Sequence, residues 1–116
     1  MNHPCVFCKI ISGEAPAHIL HQDEMVTAFF DVRPITPVHI LVVPNQHLES
    51  INQVSPNDEQ LLGHMITVAR QLAHDQQLEN SGYRLVINTG PDAGQSVFHL
   101  HLHLIGGRHM PFHFRE

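Results

Sequence analysis

The chain is 116 residues long, 42% apolar and 15% charged, with a formal net charge of −5. That length suits one domain with its own core, and no apolar run approaches the ~20 residues of a membrane span. Six Lys and Arg are too few to neutralise the many phosphates of a nucleic-acid polymer, although backbone amides and a few polar side chains suffice to hold the phosphate of a single nucleotide.

Residues 1–116 read as one domain, without internal repeat, low-complexity stretch or linker. The N-terminal MNHPCVF lacks a basic segment leading into an apolar one, so no secretory signal is expected and the cytoplasm is the expected compartment. In CVFCKIISGE, Val6, Phe7, Ile10 and Ile11 fall at helical spacing, and Gly13 supplies a stop. Pro16 separates this helix from AHILHQ, a predicted strand, and Asp23-Glu24 turns the chain into a second strand, MVTAFFD, ending at Asp31. RPITP is irregular, because prolines three apart suit neither helix nor central strand.

VHILVVP is β-branched and almost wholly apolar, the pattern of a central strand buried on both faces. Ser55-Pro56-Asn57-Asp58 is a helix start, with a Ser cap, Pro at the first position and acids in the first turn. An apolar stripe of Leu61, Leu62, Met65, Val68, Ala69 and Leu72 follows, which predicts a helix from about Pro56 to Gln77. YRLVIN is a further strand, TGPDAGQ a turn-rich loop, SVFHLHLHLIG the last long strand, and GRHMPFHFRE is left unassigned. One long helix, one short helix and about five strands, several adjacent in sequence, make an α+β domain with an antiparallel sheet.

The last strand carries the chemistry. Side chains on a strand alternate, so His99, His101 and His103 share one face and Leu100, Leu102 and Leu104 the other. The leucines belong to the core. The imidazoles, each with a donor and an acceptor, need partners of their own. Same-face neighbours lie ~6.5 Å apart along a strand, so two adjacent rings can share a zinc while three in a row converge less easily, and distinct roles are more natural. Upstream lies NTGPDAGQS, where Gly90 and Gly94 let the backbone approach a ligand and Ser96 offers a hydroxyl beside the histidines.

QSVFHLHLHLIGGR resembles the signature of the histidine triad superfamily, His-φ-His-φ-His-φ-φ with φ apolar, at all seven positions. The flanking Gln-Ser-Val and Gly-Gly-Arg are similar to the HINT branch, the nucleoside phosphoramidases, rather than to the dinucleoside polyphosphate hydrolases. CVFCKIISGEAPA, AFFDVRPITPVHILVVPNQH and GYRLVINTG also resemble their counterparts there, so the likeness covers nearly the whole chain. It implies an HIT-like fold and a hydrolase cleaving the P–N bond of purine nucleoside 5′-phosphoramidates, of AMP or GMP type, through a nucleotidyl-histidine intermediate. It also implies a homodimer without an organic cofactor. A dinucleoside polyphosphate hydrolase and a nucleotide-binding or scaffold protein with little turnover are the competing readings.

By the same resemblance His101 is the nucleophile. His103 holds a phosphate oxygen or assists proton transfer, and Ser96 with the Gly94–Gln95 backbone binds phosphate oxygens or the leaving group. Asn88 contacts phosphate or ribose, while Asp31 and Val32 line the nucleoside site. Taken alone, His39 inside its apolar strand reads as a core histidine with a satisfied partner, although the family places this region near the purine. In this branch the C-terminal tail shapes substrate choice across the dimer, and here only HMPFHFRE follows Arg108, which bears on the choice of leaving amine.

Cys5 and Cys8 are the two cysteines of the chain, and Cys-x-x-Cys supplies half of a tetrahedral zinc site. Buried free thiols on one helix face or a redox pair are the alternatives, the latter weakened because no βαβ unit surrounds the motif. The resemblance supplies the missing ligands: His47 of PNQH and His99, the first triad histidine, complete a structural Zn2+ site. Members of the branch that lack the cysteines show that this zinc is dispensable for the fold.

Overall fold

A computed structural model describes residues 5–111; the end of the tail segment left unassigned above, residues 112–116, lies outside them. Helix α1 (Val6–Ser12) starts at Cys5, whose Sγ accepts from the Cys8 N–H, and stops at Gly13. Gly13 takes φ 85°, a left-handed value that glycine adopts at no steric cost, and its N–H caps the Ile10 carbonyl. Strands β1 (Ile19–Gln22), β2 (Val26–Phe30) and β3 (Val38–Pro44) follow. Helix α2 (Glu59–Asp75) is preceded by a 3-10 turn, Pro56–Asp58, in which Ser55 and Asp58 form a reciprocal capping box. Strands β4 (Tyr83–Val86) and β5 (Leu102–Gly106) complete an antiparallel sheet of order β1-β2-β3-β5-β4. The α+β reading holds, with five strands, one long helix and one short helix.

Alternation along the strands divides the molecule into two faces. Val26 and Ala28 of β2, Ile40 and Val42 of β3, and Leu102 and Leu104 of β5 pack with Leu100 against Leu61, Met65, Val68, Ala69, Leu72 and Ala73 of α2. Phe29, Leu41 and Val43 point the other way and pack under Phe7 and Ile10 of α1. The second face also carries the polar residues of the central strands: His39 belongs to β3, and His103 pairs with Leu41 across the β3–β5 ladder. One side of the sheet is therefore committed to the large core, which leaves the other for chemistry.

The last strand is shorter than its sequence suggests. The ladder with β3 begins at Leu102, paired with Val42, and Ser96–His101 lies outside it. Continuing the register brings Leu100 opposite Pro44, which has no N–H to donate to a ladder. The Pro44 carbonyl accepts instead from His99 Nε2 at 2.8 Å, and the Leu100 N–H turns to Leu48 O at 2.7 Å. Leu100 still joins the α2 core, so the inward alternation of the leucines survives although half of the predicted pairing does not.

Candidate active site and metal centre

The short helix α1 brings Cys5 and Cys8, the turn after β3 brings His47, and the segment before β5 brings His99. The four side chains converge with their donor atoms within 4.8 Å of one another. Cys5 Sγ lies 3.4 Å from His99 Nδ1, Cys8 Sγ lies 3.4 Å from His47 Nδ1 and 3.6 Å from His99 Nδ1, and the two Nδ1 atoms are 3.2 Å apart. A tetrahedral zinc with Zn–S ≈ 2.3 Å and Zn–N ≈ 2.05 Å sets S···N edges of about 3.6 Å and an N···N edge of about 3.3 Å. The donors already stand at those edges. The Cys8 thiol is costly to ionise: burial first, and then Cys5, pushes it up to about 11. A dication reverses that balance, since a coordinating thiol is deprotonated outright.

The partners of each imidazole fix where its proton sits. A carbonyl oxygen accepts and never donates, so His99 carries its proton on Nε2, facing Pro44 O, and leaves Nδ1 bare toward the cysteines. By the same logic the Nδ1–H of His101 donates to His99 O at 2.7 Å, and in the neutral ring the lone pair resides on Nε2. A backbone N–H donates and never accepts, so His39 Nδ1 receives the Ile35 N–H at 3.2 Å and its proton sits on Nε2. That Nε2–H donates to His103 Nδ1 at 2.9 Å, with Asp31 Oδ2 further off at 3.4 Å. The His103 proton is thereby placed on Nε2. Adjacent triad rings end with opposite equipment: a lone pair on His101 Nε2 and an N–H on His103 Nε2, their centroids 4.9 Å apart.

His101 and His103 line an apolar cavity of about 430 Å³, walled by Phe7, Ile10, Phe29, Phe30 and Val32 among others, with Asp31 and Ser96 at its polar side. A second cleft of about 460 Å³ adjoins it and shares Asp31, Arg33, Ser96 and His103, adding His39 and Asn88. Both volumes are of the size that takes a small ligand, and the histidines stand where they meet. Val32, 85% exposed, forms the open lip.

Gly94 and Gln95 differ from expectation. Their amides are engaged inside the loop, Gly94 N–H on Pro91 O at 3.0 Å and Gln95 N–H on Gly90 O at 3.1 Å, and neither residue lines either cavity. Gly94 is needed for the bend, at φ 85°. The buried Gln95 side chain accepts from the Gly90 N–H and donates to Glu49 O and Val97 O, and Asn88 Nδ2 donates to Ala93 O at 2.8 Å. Direct contact through these two amides is replaced by bracing of the loop that delivers Ser96.

Three residues gain importance that sequence reasoning did not give them. His39 is 4% exposed and orients His103; a histidine in an otherwise apolar strand was its signal, but the partner 64 positions away was not visible. Phe7 sits edge-on to both His99 and His101, with centroids 5.8 and 5.2 Å apart, and so ties the metal centre to the triad. Arg33 places a cation at both cavities.

Burial pushes His39 down, offset in part by Asp31, and burial followed by the charges of His101 and His39 holds His103 down to about 4. An unfolded histidine takes its proton near pH 6.5. Between pH 6.5 and 4 the unfolded chain therefore binds more protons than the native one, and stability falls as the pH is lowered through that window. The contribution of His103 is on the order of 2–3 kcal/mol across it. Urea denaturation over this range is expected to show a pH slope that shrinks by about one proton in His103→Gln; an identical slope in the variant refutes the assignment.

Comparison with known proteins agrees with the geometry. The HIT domain family model matches residues 12–110. A protein of Escherichia coli (strain K12) named purine nucleoside phosphoramidase is 47% identical over 108 residues, spanning 93% of this chain and 91% of its own. A HIT family hydrolase from Legionella pneumophila Philadelphia 1 superposes with a TM-score of 0.92 at 44% identity, covering 94% of this chain and 97% of that one. A Zn-bound histidine triad family protein from Mycobacterium smegmatis superposes with a TM-score of 0.81 at 36% identity, covering 90% and 76% of the two chains.

Proposed function

The chain belongs to the HIT domain family, and on that footing we propose that it hydrolyses the P–N bond of purine nucleoside 5′-phosphoramidates. One observation carries the reading: the Nδ1–H of His101 is committed to the His99 carbonyl, which puts the lone pair of the neutral tautomer on Nε2 of a ring that lines the cavity. In the first step His101 Nε2 forms a bond to the α-phosphorus while the bond from phosphorus to the amine breaks; the amine nitrogen takes its proton from water in the second cleft, and His103 Nε2–H donates a hydrogen bond to a phosphate oxygen. In the second step water attacks the nucleotidyl-histidine and releases its proton to solvent. The bond to His101 then breaks and the nucleoside monophosphate leaves.

The nucleoside occupies the apolar cavity, its ribose hydroxyls facing Asp31, whose carboxylate keeps free lone pairs beside its bond from the Arg33 N–H at 2.8 Å. Ser96 and Asn88 meet the phosphate side, and the second cleft receives the leaving amine. Cys5, Cys8, His47 and His99 hold a structural Zn2+, which supplies a fixed anchor for α1 and His99 and takes no part in the reaction. Residues 1–116 act as one domain in a homodimer. No helix among the described residues is long and apolar enough to cross a membrane, and we place the protein in the cytoplasm, where two thiols stay reduced.

A substrate panel tests the reading. Adenosine and guanosine 5′-phosphoramidates are expected to exceed diadenosine tetraphosphate in kcat/KM by at least ~10-fold, about 1.4 kcal/mol of transition-state preference. The reverse order identifies a dinucleoside polyphosphate hydrolase, and AMP binding without turnover of any of them identifies a binding protein.

A further inference from the structure

On the other side of the molecule's edge, the turn after β1 gathers a second set of metal-competent side chains. Asp23 Oδ2 lies 2.6 Å from His21 Nε2 on β1 and 2.7 Å from His64 Nε2 on α2. The carboxylate does not float: its Oδ1 accepts the Met25 and Val26 N–H groups at 2.7 and 2.9 Å. Asn45 Nδ2 also donates to the Asp23 carbonyl at 2.8 Å. Burial works against the Asp23 charge, but the bonds from His21, His64, Val26 and Met25 outweigh it and hold the carboxyl well below the usual carboxylate range. The group is therefore a permanent, oriented anion with two imidazoles aimed at one oxygen.

We propose that His21, Asp23 and His64 form a second, exchangeable site for a divalent transition ion of the zinc type, separate from the thiolate centre. Their donor atoms lie within 4.8 Å of one another. Two imidazole nitrogens and one carboxylate oxygen suit zinc and its neighbours rather than magnesium or calcium, and three protein ligands leave a position open to water. About a third of each side chain is exposed, so an ion reaches the site from solvent and leaves again. Binding exchanges two hydrogen bonds for three coordinate bonds: each ring offers Nε2 to the ion and keeps a proton on Nδ1. The N···O edges open from 2.6 and 2.7 Å to about 3.3 Å, a change that rotation of the exposed rings supplies while the backbone keeps the carboxylate in place. The ion then ties β1 and its turn to α2 by coordinate bonds in place of the Asp23–His64 hydrogen bond.

Equilibrium dialysis against Zn2+ with elemental analysis tests this. Wild-type protein is expected to take up an equivalent beyond that of the thiolate centre, and its Tm to rise by about 10 °C at 100-fold excess over the dissociation constant. His64→Ala and His21→Ala are each expected to weaken that equivalent by at least ~10-fold, since losing a ligand costs no less than losing an outer partner. His74→Ala, which removes an exposed histidine paired with Glu79, retains it. So does Cys8→Ser, which removes a donor of the thiolate cluster and none of the three residues proposed here. Absence of the additional equivalent in wild type, or its persistence at full strength in both His21→Ala and His64→Ala, overturns the proposal.

Discussion

His101→Ala is expected to lower turnover of an adenosine 5′-phosphoramidate by at least ~10^4-fold, the scale on which removal of a covalent nucleophile is felt, while AMP affinity changes by less than about threefold because the apolar walls and Asp31 that hold the nucleoside are untouched. The size of the loss follows from the proton assignments. His103 cannot take over, because its Nδ1 accepts from His39 and its remaining nitrogen carries the ring's proton, leaving no lone pair for attack. His39 cannot either, because both its nitrogens are engaged, with the Ile35 amide and with His103. His99 has Nδ1 turned to the cysteines and Nε2 on a carbonyl. Four imidazoles lie close together, yet one offers a lone pair to the cavity. Steady-state rates with isothermal titration of AMP give the two quantities. A variant that keeps more than about 1% of the wild-type rate assigns the attack to another group.

Much of this was written in local sequence. The capping residues before α2, the stripe of that helix and the apolar run of β3 are short-range signals, and each element formed where its pattern placed it. The alternation of HLHLH correctly separated core leucines from polar histidines. What local pattern missed was set by partners distant in the chain. Pro44 ended the β3–β5 ladder early by offering β5 no N–H, and its carbonyl took the His99 ring instead. His39 was read as a satisfied core histidine, which is true of its burial but silent on what satisfies it: the partner is His103, a member of the histidine row itself. At Gly94 and Gln95, glycine-rich composition pointed to amides facing a ligand, whereas both N–H groups bond within their own loop.

The histidine row is accordingly not a row of equals. The His99 ring faces the cysteines while its carbonyl accepts the His101 Nδ1–H, so a residue of the four-donor cluster sets the tautomer of the ring we propose as nucleophile. Phe7 makes the same connection from α1, edge-on to both rings. Stability at one end of the motif and chemistry at the other are linked through these two contacts.

That link makes Cys8→Ser the second large expected effect. Helix α1 is seven residues long, below the length at which a helix holds itself in water, and its hold on the sheet rests mainly on Phe7, Ile10 and the four-donor cluster, with the Gln22 side chain donating to Ile11 O from β1. The cluster against α2 does not depend on it, so the protein is expected to fold but to lose about 3 kcal/mol, a fall in Tm of roughly 12–20 °C. The wild-type protein stripped by a chelator should match the variant, because both lose the same ion. With α1 loosened, Phe7 no longer pins the His101 ring and His99 no longer fixes its own carbonyl. Turnover is expected to fall about 10-fold, as when a partner behind a ligand is lost, with AMP affinity reduced through the Phe7 and Ile10 wall. Calorimetry of wild type, chelator-treated wild type and Cys8→Ser, beside their rates, provides the check. If all three melt within about 2 °C of one another, a shift worth less than ~0.5 kcal/mol, the four donors hold no structural ion and α1 is held by Phe7 and Ile10 alone.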